Sequence, residues 1–270
     1  MMFAKERERV RSATRAIRAL IVMPGRDLGL PAEVGGGLQA IAQLALAPLK
    51  HMPDVAARVP GTLRDLGERV SSIPGGRRRA PAFAFAAQAL AASVRNGATM
   101  RERYLNLLAA SMDAARADRV HPGFLEVLRQ LTPDEARIVS LFQHDGPYPI
   151  VSVTSRWKHG APIATVLRNF SLLGEQAGIE HVDRAPLYID NLVRLGIAEL
   201  RRVRVSDDTR MFRAVEEHPQ VKAAMAEVAA KTPALARSTD TVVADLNRQA
   251  LYVTAFGRQF YEACEYRAVE

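Results

Sequence analysis

At 270 residues the chain can bury one substantial core, or one core with a smaller helical appendage. A hydrophobic content of 48% with 24% charged residues excludes wholesale disorder, and a single cysteine, Cys264, excludes an intrachain disulfide and a cysteine-based zinc cluster. The net charge of +8 is uneven: residues 1–130 hold 20 Lys/Arg against 11 Asp/Glu, and residues 131–270 hold 17 against 18. An anionic partner is therefore expected to meet the front half, unless the Arg-rich usage reflects only a GC-rich genome.

Residues 4–23 read as an amphipathic helix. Val10, Ala13, Ile17, Leu20 and Ile21 share one face, and Arg7, Arg11, Arg15 and Arg18 share a strip about 80° wide, at about 100° per residue. Such a helix can lie on a membrane surface, touch nucleic acid or dock on a partner; the plainer account is a solvated face packed to the body. Gly and Pro then break residues 24–79 into short helices and turns, ending in a basic knot, Arg77, Arg78 and Arg79, that suits phosphate or a solvated linker. Two uncharged runs, Val34–Leu49 and Ala80–Val94, are sixteen and fifteen residues long. Both fall short of the roughly 18–20 apolar residues a spanning helix needs, so buried core helices are expected. The charged start lacks a secretory h-region, which favours a cytoplasmic protein.

From residue 99 the signals sharpen. Thr99 and Glu102 are spaced as a capping box, followed by Tyr104, Leu107, Leu108, Met112 and Ala115 on one helical face. Pro122 marks a further helix start, with Phe124, Val127, Leu128 and Leu131 on one side. Thr132-Pro133-Asp134-Glu135 combines an N-cap, a first-turn proline and two acids suited to the helix dipole, with Ile138, Val139, Leu141 and Phe142 buried behind.

Beyond the Asp145-Gly146-Pro147 link, Tyr148–Thr154 alternates as a short strand and Pro162–Leu173 reads as helix. Pro186–Leu195 is a helix with Leu187, Leu192 and Leu195 inward and Gly196 as its stop. Ile197–Val205 is a basic strand, residues 215–250 a helical insertion, and Leu251–Val253 a returning strand. Thr254 then caps a last helix carrying Phe256, Phe260 and Cys264. The fold expected is mainly α. A helical N-terminal region (1–79) precedes a helical domain (80–270), whose residues 131–266 form a winged-helix-like module with a small β-hairpin and a helical insertion in the wing.

No phosphate-binding, dinucleotide-binding, metalloprotease or hydrolase motif is present, and no two of the six histidines stand at i, i+4, so neither a catalytic centre nor a metal or other cofactor is expected. Glu180-His181-Val182-Asp183 could form an acid/base cluster, though a surface turn before a helix is the simpler account. Cys264 on an apolar stripe reads as a packed core thiol. The best nucleic-acid candidates are Arg184, Arg194, Arg201, Arg202 and Arg204, around the last two-stranded part; the near-neutral charge of this half weighs against them.

The segments VHPGFLEVLRQLTPDEARIV, YPIVSV, DNLVRLGI and TAFGRQFYEACE together resemble the Abi-alpha family of bacterial abortive-infection proteins, over about residues 80–266. Ala255 stands where the family's closing phrase has proline. The resemblance implies a mostly helical phage-resistance protein with no catalytic residues to carry across. It would act through an unknown protein partner or phage component, as a homo-oligomer, or peripherally at the inner membrane; a winged-helix DNA-binding regulator is the alternative.

Overall fold

The computed structural model describes residues 52–203, 209–235 and 241–266, with scattered residues between 37 and 47. The predicted helix at 4–23 with its four arginines, most of Val34–Leu49, and Arg204 lie outside the described residues. The chain divides into two units, one holding the described residues up to Pro133 with those of 259–266, the other Asp134–Arg258. The expected boundary near residue 80 falls inside the first unit.

In the first unit the helices are α1 (Pro53–Ala56), α2 (Val59–Ser71), α3 (Phe83–Arg95), α4 (Ala98–Ser111) and α5 (Phe124–Arg129). Each buries one stripe: Leu63, Leu66 and Val70 on α2; Ala86, Ala89, Leu90 and Val94 on α3; Tyr104, Leu107 and Leu108 on α4. Heptad-like spacing with small alanines allows α3 and α4 to pack closely. The signature stretch contributes Phe124, Val127, Leu128 and Leu131, all buried, and Phe124 meets Phe260 edge-on at 5.5 Å between centroids. Among the described residues no helix is long and apolar enough to cross a membrane.

The predicted capping box is not formed. Helix α4 begins at Ala98 with Gly97 as its cap, so Thr99 is already inside, and its carbonyl accepts a hydrogen bond from Arg103 (2.9 Å). Ala115 is exposed rather than on the buried face, because the helix stops at Ser111 before its stripe reaches that residue.

The second unit holds α6 (Pro133–Val139, from Asp134 onward), strands β1 (Tyr148–Trp157) and β2 (Pro162–Phe170), α7 (Leu173–Gln176), α8 (Ala185–Arg194), β3 (Ala198–Arg202), α9 (Arg213–Glu216), α10 (Pro219–Leu235), β4 (Val242–Val253) and the start of α11 (Ala255–Cys264). The strands form one antiparallel sheet in the order β2-β1-β4-β3. Its core face carries Val151, Val153, Phe170 and Val242, covered by Phe212, Val215, Val221 and Val228 from the segment around α9 and α10.

Two strands correct the expected elements. Pro162–Phe170 is strand, not helix. Its apolar residues Ile163, Val166, Leu167 and Phe170 happen to fall at i, i+3, i+4 and i+7, because bulges opposite β1 break the two-residue alternation. The returning strand is also far longer than three residues: β4 begins at Val242, shortening the helical insertion accordingly. Asp245, Asn247 and Gln249 obscured its alternation, yet they lie on the face opposite Ala244 and Leu246.

Leu187 is 64% exposed and not inward, since the buried stripe of α8 is Ala185, Tyr188, Ile189 and Leu192. Gly196 ends that helix as expected, with φ +72°, while the next amide, Ile197 N–H, bonds back to the Leu192 carbonyl at 3.0 Å. Thr254 caps α11 by accepting the Gly257 N–H at 2.9 Å, and its hydroxyl donates to the Gly196 carbonyl at 2.6 Å.

This junction is tight. A Cβ on Gly257 would stand 1.9 Å from the Ile197 carbonyl oxygen, a backbone atom that cannot swing away. Gly257→Ala is expected to destabilise the protein by about 2–3 kcal/mol, as overpacking of a closed core does. Thermal and urea melts check this; a variant as stable as the parent would show that the helix start is free to shift.

Candidate functional site

Two buried carboxylates organise the polar interior. In the first unit Asp113 has no exposed surface, directly after α4. Arg77 clamps it with two bonds, Nε to Oδ1 at 2.9 Å and Nη2 to Oδ2 at 2.5 Å. The Ala115 N–H donates to Oδ1 at 3.0 Å, and the Tyr266 hydroxyl donates to Oδ2 at 3.2 Å. Burial pushes the carboxyl pKa up, but the guanidinium and the other donors outweigh it and hold it below the usual range. Burial and the neighbouring carboxylate push the Tyr266 hydroxyl up to about 12.

In the second unit Asp134 accepts the backbone N–H groups of Glu180 (3.0 Å) and His181 (3.1 Å), with Arg137 Nη1 at 2.8 Å and the Tyr188 hydroxyl at 3.4 Å. Its pKa, too, is lowered: burial raises it, and the two turn amides lead the group that overcomes burial. Glu135, equally buried, accepts from Asn191 on α8 at 2.7 Å. The partner of His181 is thus Asp134, 3.3 Å from Nδ1, and not its own sequence neighbours. The arrangement ties a turn and α8 to the start of α6. The two acids stand in the first turn as expected and serve in addition as long-range anchors.

The first unit also carries two clefts, of about 410 and 400 Å³, on either side of the segment after Asp113. Both lie within the usual range for small-ligand sites. The first is lined by Ala110, by Arg116 and Arg119 from the segment after Asp113, and by Gln259, Glu262 and Ala263 from α11. The second is more apolar, lined by Ala82, Phe85, Val120, Pro122 and Leu125, with Arg79 at its edge. Phe83, beside it in sequence, is 50% exposed. Val120 lines both. No motif announced Arg116 and Arg119; the only sequence signal was a pair of arginines three residues apart between two strong helices.

The basic knot is separated by the fold. Arg77 serves Asp113, and Arg78 donates to the Ile73 and Ser71 carbonyls at 2.8 and 2.9 Å, capping the end of α2. Arg79 is exposed, 3.4 Å from Asp118. Arg184, Arg194, Arg201 and Arg202 are all exposed. Arg194 donates to Asn191 at 2.7 Å, and Arg201 is paired with Glu199 and stacked 4.6 Å over the Tyr252 ring. Cys264 is fully buried, and burial pushes its thiol pKa far above the ordinary value, which keeps it unreactive.

A family model described as Abi_alpha, abortive infection alpha, matches residues 56–264. A solved structure of an uncharacterized protein from the hydrocarbon-degrading marine bacterium Alcanivorax borkumensis SK2 is 21% identical, with a TM-score of 0.34, over 56% of this chain and 96% of that chain. No curated protein matches.

The Asp113 clamp predicts an asymmetry. Arg77→Ala leaves a buried carboxylate without its cation and is expected to cost about 2–4 kcal/mol. Asp113→Asn leaves a half-exposed guanidinium that water can reach, and is expected to cost less, about 1–2 kcal/mol. Urea melts of both variants check the order; equal costs would place the strain elsewhere.

The same carboxylates set an acid limit. Because Asp113 and Asp134 have folded pKa values below their unfolded ones, their contribution is complete above the unfolded value, about 4, and is lost as pH falls through the folded values. The urea midpoint should stay nearly level from about pH 7 to 5 and drop below about pH 4. Asp113→Asn should drop less steeply, and an unchanged acid limb would assign it to other groups.

Proposed function

Since the chain belongs to the abortive infection alpha family, we propose that it acts in phage defence as a non-enzymatic effector or sensor, engaging a protein partner, a phage component or a membrane surface. The family match over residues 56–264 is the observation that carries this reading. The apolar cleft supports a contact role, and Phe83, half-exposed between the lining residues Ala82 and Ala84, is an aromatic a partner could cover. Under this reading the protein works in the cytoplasm, with Arg7, Arg11, Arg15 and Arg18 offering attachment to anionic lipid at the inner membrane. Residues Arg77 and Arg78 take no part in that attachment, being engaged internally.

A second reading, a winged-helix DNA-binding module, draws support from the strand order β1-β4-β3 and from α8 lying immediately before β3. Exposed Arg184, Arg194 and Arg202 would then meet phosphate, while exposed Leu187 between the first two suits a protein surface better.

Cells expressing the protein should show fewer phage plaques with death or membrane leakage of infected cells, and Phe83→Asp should abolish that protection without lowering the melting temperature. Unchanged plaque counts against a broad phage panel would overturn the defence role. Changing Arg7, Arg11, Arg15 and Arg18 to Glu should abolish flotation with anionic liposomes, and flotation unaffected by the change would remove the helix from the mechanism. For the DNA reading, Arg184→Glu and Arg194→Glu should each reduce the salt slope of DNA binding by about one. Absence of binding at low salt would discard it.

A further inference from the structure

We infer that the polar cleft of the first unit is a binding site for a small phosphate-bearing ligand of the nucleotide class. This goes beyond the defence role and stands on different observations. Arg116 and Arg119 are the flanking and last residues of a 3-10 turn, Ala117–Arg119. Side chains three apart eclipse in that geometry, so the two guanidiniums project from the same side, and both line the cleft.

Arg116 is held in place: its guanidinium carbon lies 5.2 Å from the centroid of the Tyr266 ring, whose hydroxyl is bonded to buried Asp113. Arg119, exposed, has no ion-pair partner among the described residues. Two cations on one short turn, one steadied by the Tyr266 ring and one open to solvent, make a fork for one phosphate.

The lining from α11 has different chemistry. Gln259 and Glu262 stand three apart on α11 and face the same space, so they are neighbours on one helical face. A carboxylate accepts paired N–H donors, and a carboxamide both accepts and donates. Both suit the edge of a nucleobase, and the carboxylate disfavours a second phosphate beside it. The cleft is also lined by Ala110 and Ala263, small apolar side chains that leave room for a planar ring. Its volume of about 410 Å³ is that of a single small ligand. The cleft therefore combines cationic donors from the turn with acceptors and small apolar side chains from α11 and α4.

Isothermal titration of the full chain with GMP, AMP and inorganic phosphate tests this. The protein should bind at least one mononucleotide more tightly than inorganic phosphate. Arg116→Ala and Arg119→Ala should each weaken that binding by about tenfold or more. Glu262→Gln should change the preference between GMP and AMP while leaving phosphate binding unaltered. Arg119 is on the surface, so its variant should melt with the parent, which keeps the result readable even if Arg116→Ala loosens the fold. Lack of mononucleotide binding at millimolar concentration would overturn the inference. So would phosphate binding as tightly as the nucleotides, or Arg119→Ala binding as the parent does. Phage protection measured alongside is a separate readout: nucleotide binding can fail while protection persists, and the reverse.

Discussion

Asp113 has no exposed surface, and an ionised carboxylate there is tolerated only because Arg77, the Ala115 amide and Tyr266 all converge on it. Removing a carboxylate from water costs several kcal/mol, so every one of these donors is under strong constraint to stay in place. The consequence spreads outward. Arg77 belongs to the short turn after α2, Asp113 follows α4, and Tyr266 follows α11, so one oxygen pair joins three separate parts of the first unit. An adjacent backbone pair between Arg79 N–H and the Met112 carbonyl (2.9 Å), with Ala114 N–H to the Arg77 carbonyl (2.8 Å), closes the junction. The segment after Asp113 inherits a fixed origin, which makes a rigid 3-10 turn of two arginines feasible in a stretch without other regular structure.

The second unit repeats the device with other residues. Asp134 holds a turn by its amides and α8 by Tyr188, and Glu135 reaches α8 again through Asn191. Neighbouring acids at a helix start usually interact with the helix's own free amides, a contribution of roughly 0.3–1 kcal/mol at a surface. Burial of both here, at 5% and 2% exposure, converts a local helix signal into long-range positioning of α8 against α6. The acids were visible in the sequence, but beyond Arg137 the partners that position the turn and α8 lie 46 to 56 residues away, out of reach of any local reading.

What was legible followed local rules. Thr254, Gly196, the apolar stripe of 124–131 and Ile138 and Val139 act within one or two turns, and each stands where its spacing required, while Leu141 lies past the helix end at Val139 and is only half-buried. What misled were patterns that two structures share. Ile163, Val166, Leu167 and Phe170 satisfy a helix until β1 is known to lie alongside, since only the pairing partner reveals that bulges have shifted the strand's parity. Leu187 shows the same weakness on a smaller scale: a leucine on an amphipathic helix was assigned inward by type, while Tyr188 and Ile189 took the buried positions. The basic knot at 77–79 was equally opaque, because three adjacent arginines have three different fates that depend on carbonyls and a carboxylate elsewhere in the chain.

The signature stretch from Val120 to Phe142 accordingly has two roles separated by residue. Phe124, Val127 and Leu128 are consumed by packing, and Asp134 and Glu135 by cross-chain anchoring. Val120 alone faces both clefts, at the point where the turn carrying Arg116 and Arg119 enters the helical core. Surface charge is cheap to place and weak in effect, whereas a cation steadied by an aromatic ring, itself hydrogen-bonded to a buried acid, costs order to maintain. The link from the Tyr266 ring on to buried Asp113 sets Arg116 apart from Arg194, which bonds its near neighbour Asn191, and from Arg201, which pairs with Glu199 and stacks on the Tyr252 ring. The chemistry of the first unit is therefore concentrated at the turn after Asp113, where fold stability and ligand recognition depend on the same carboxylate.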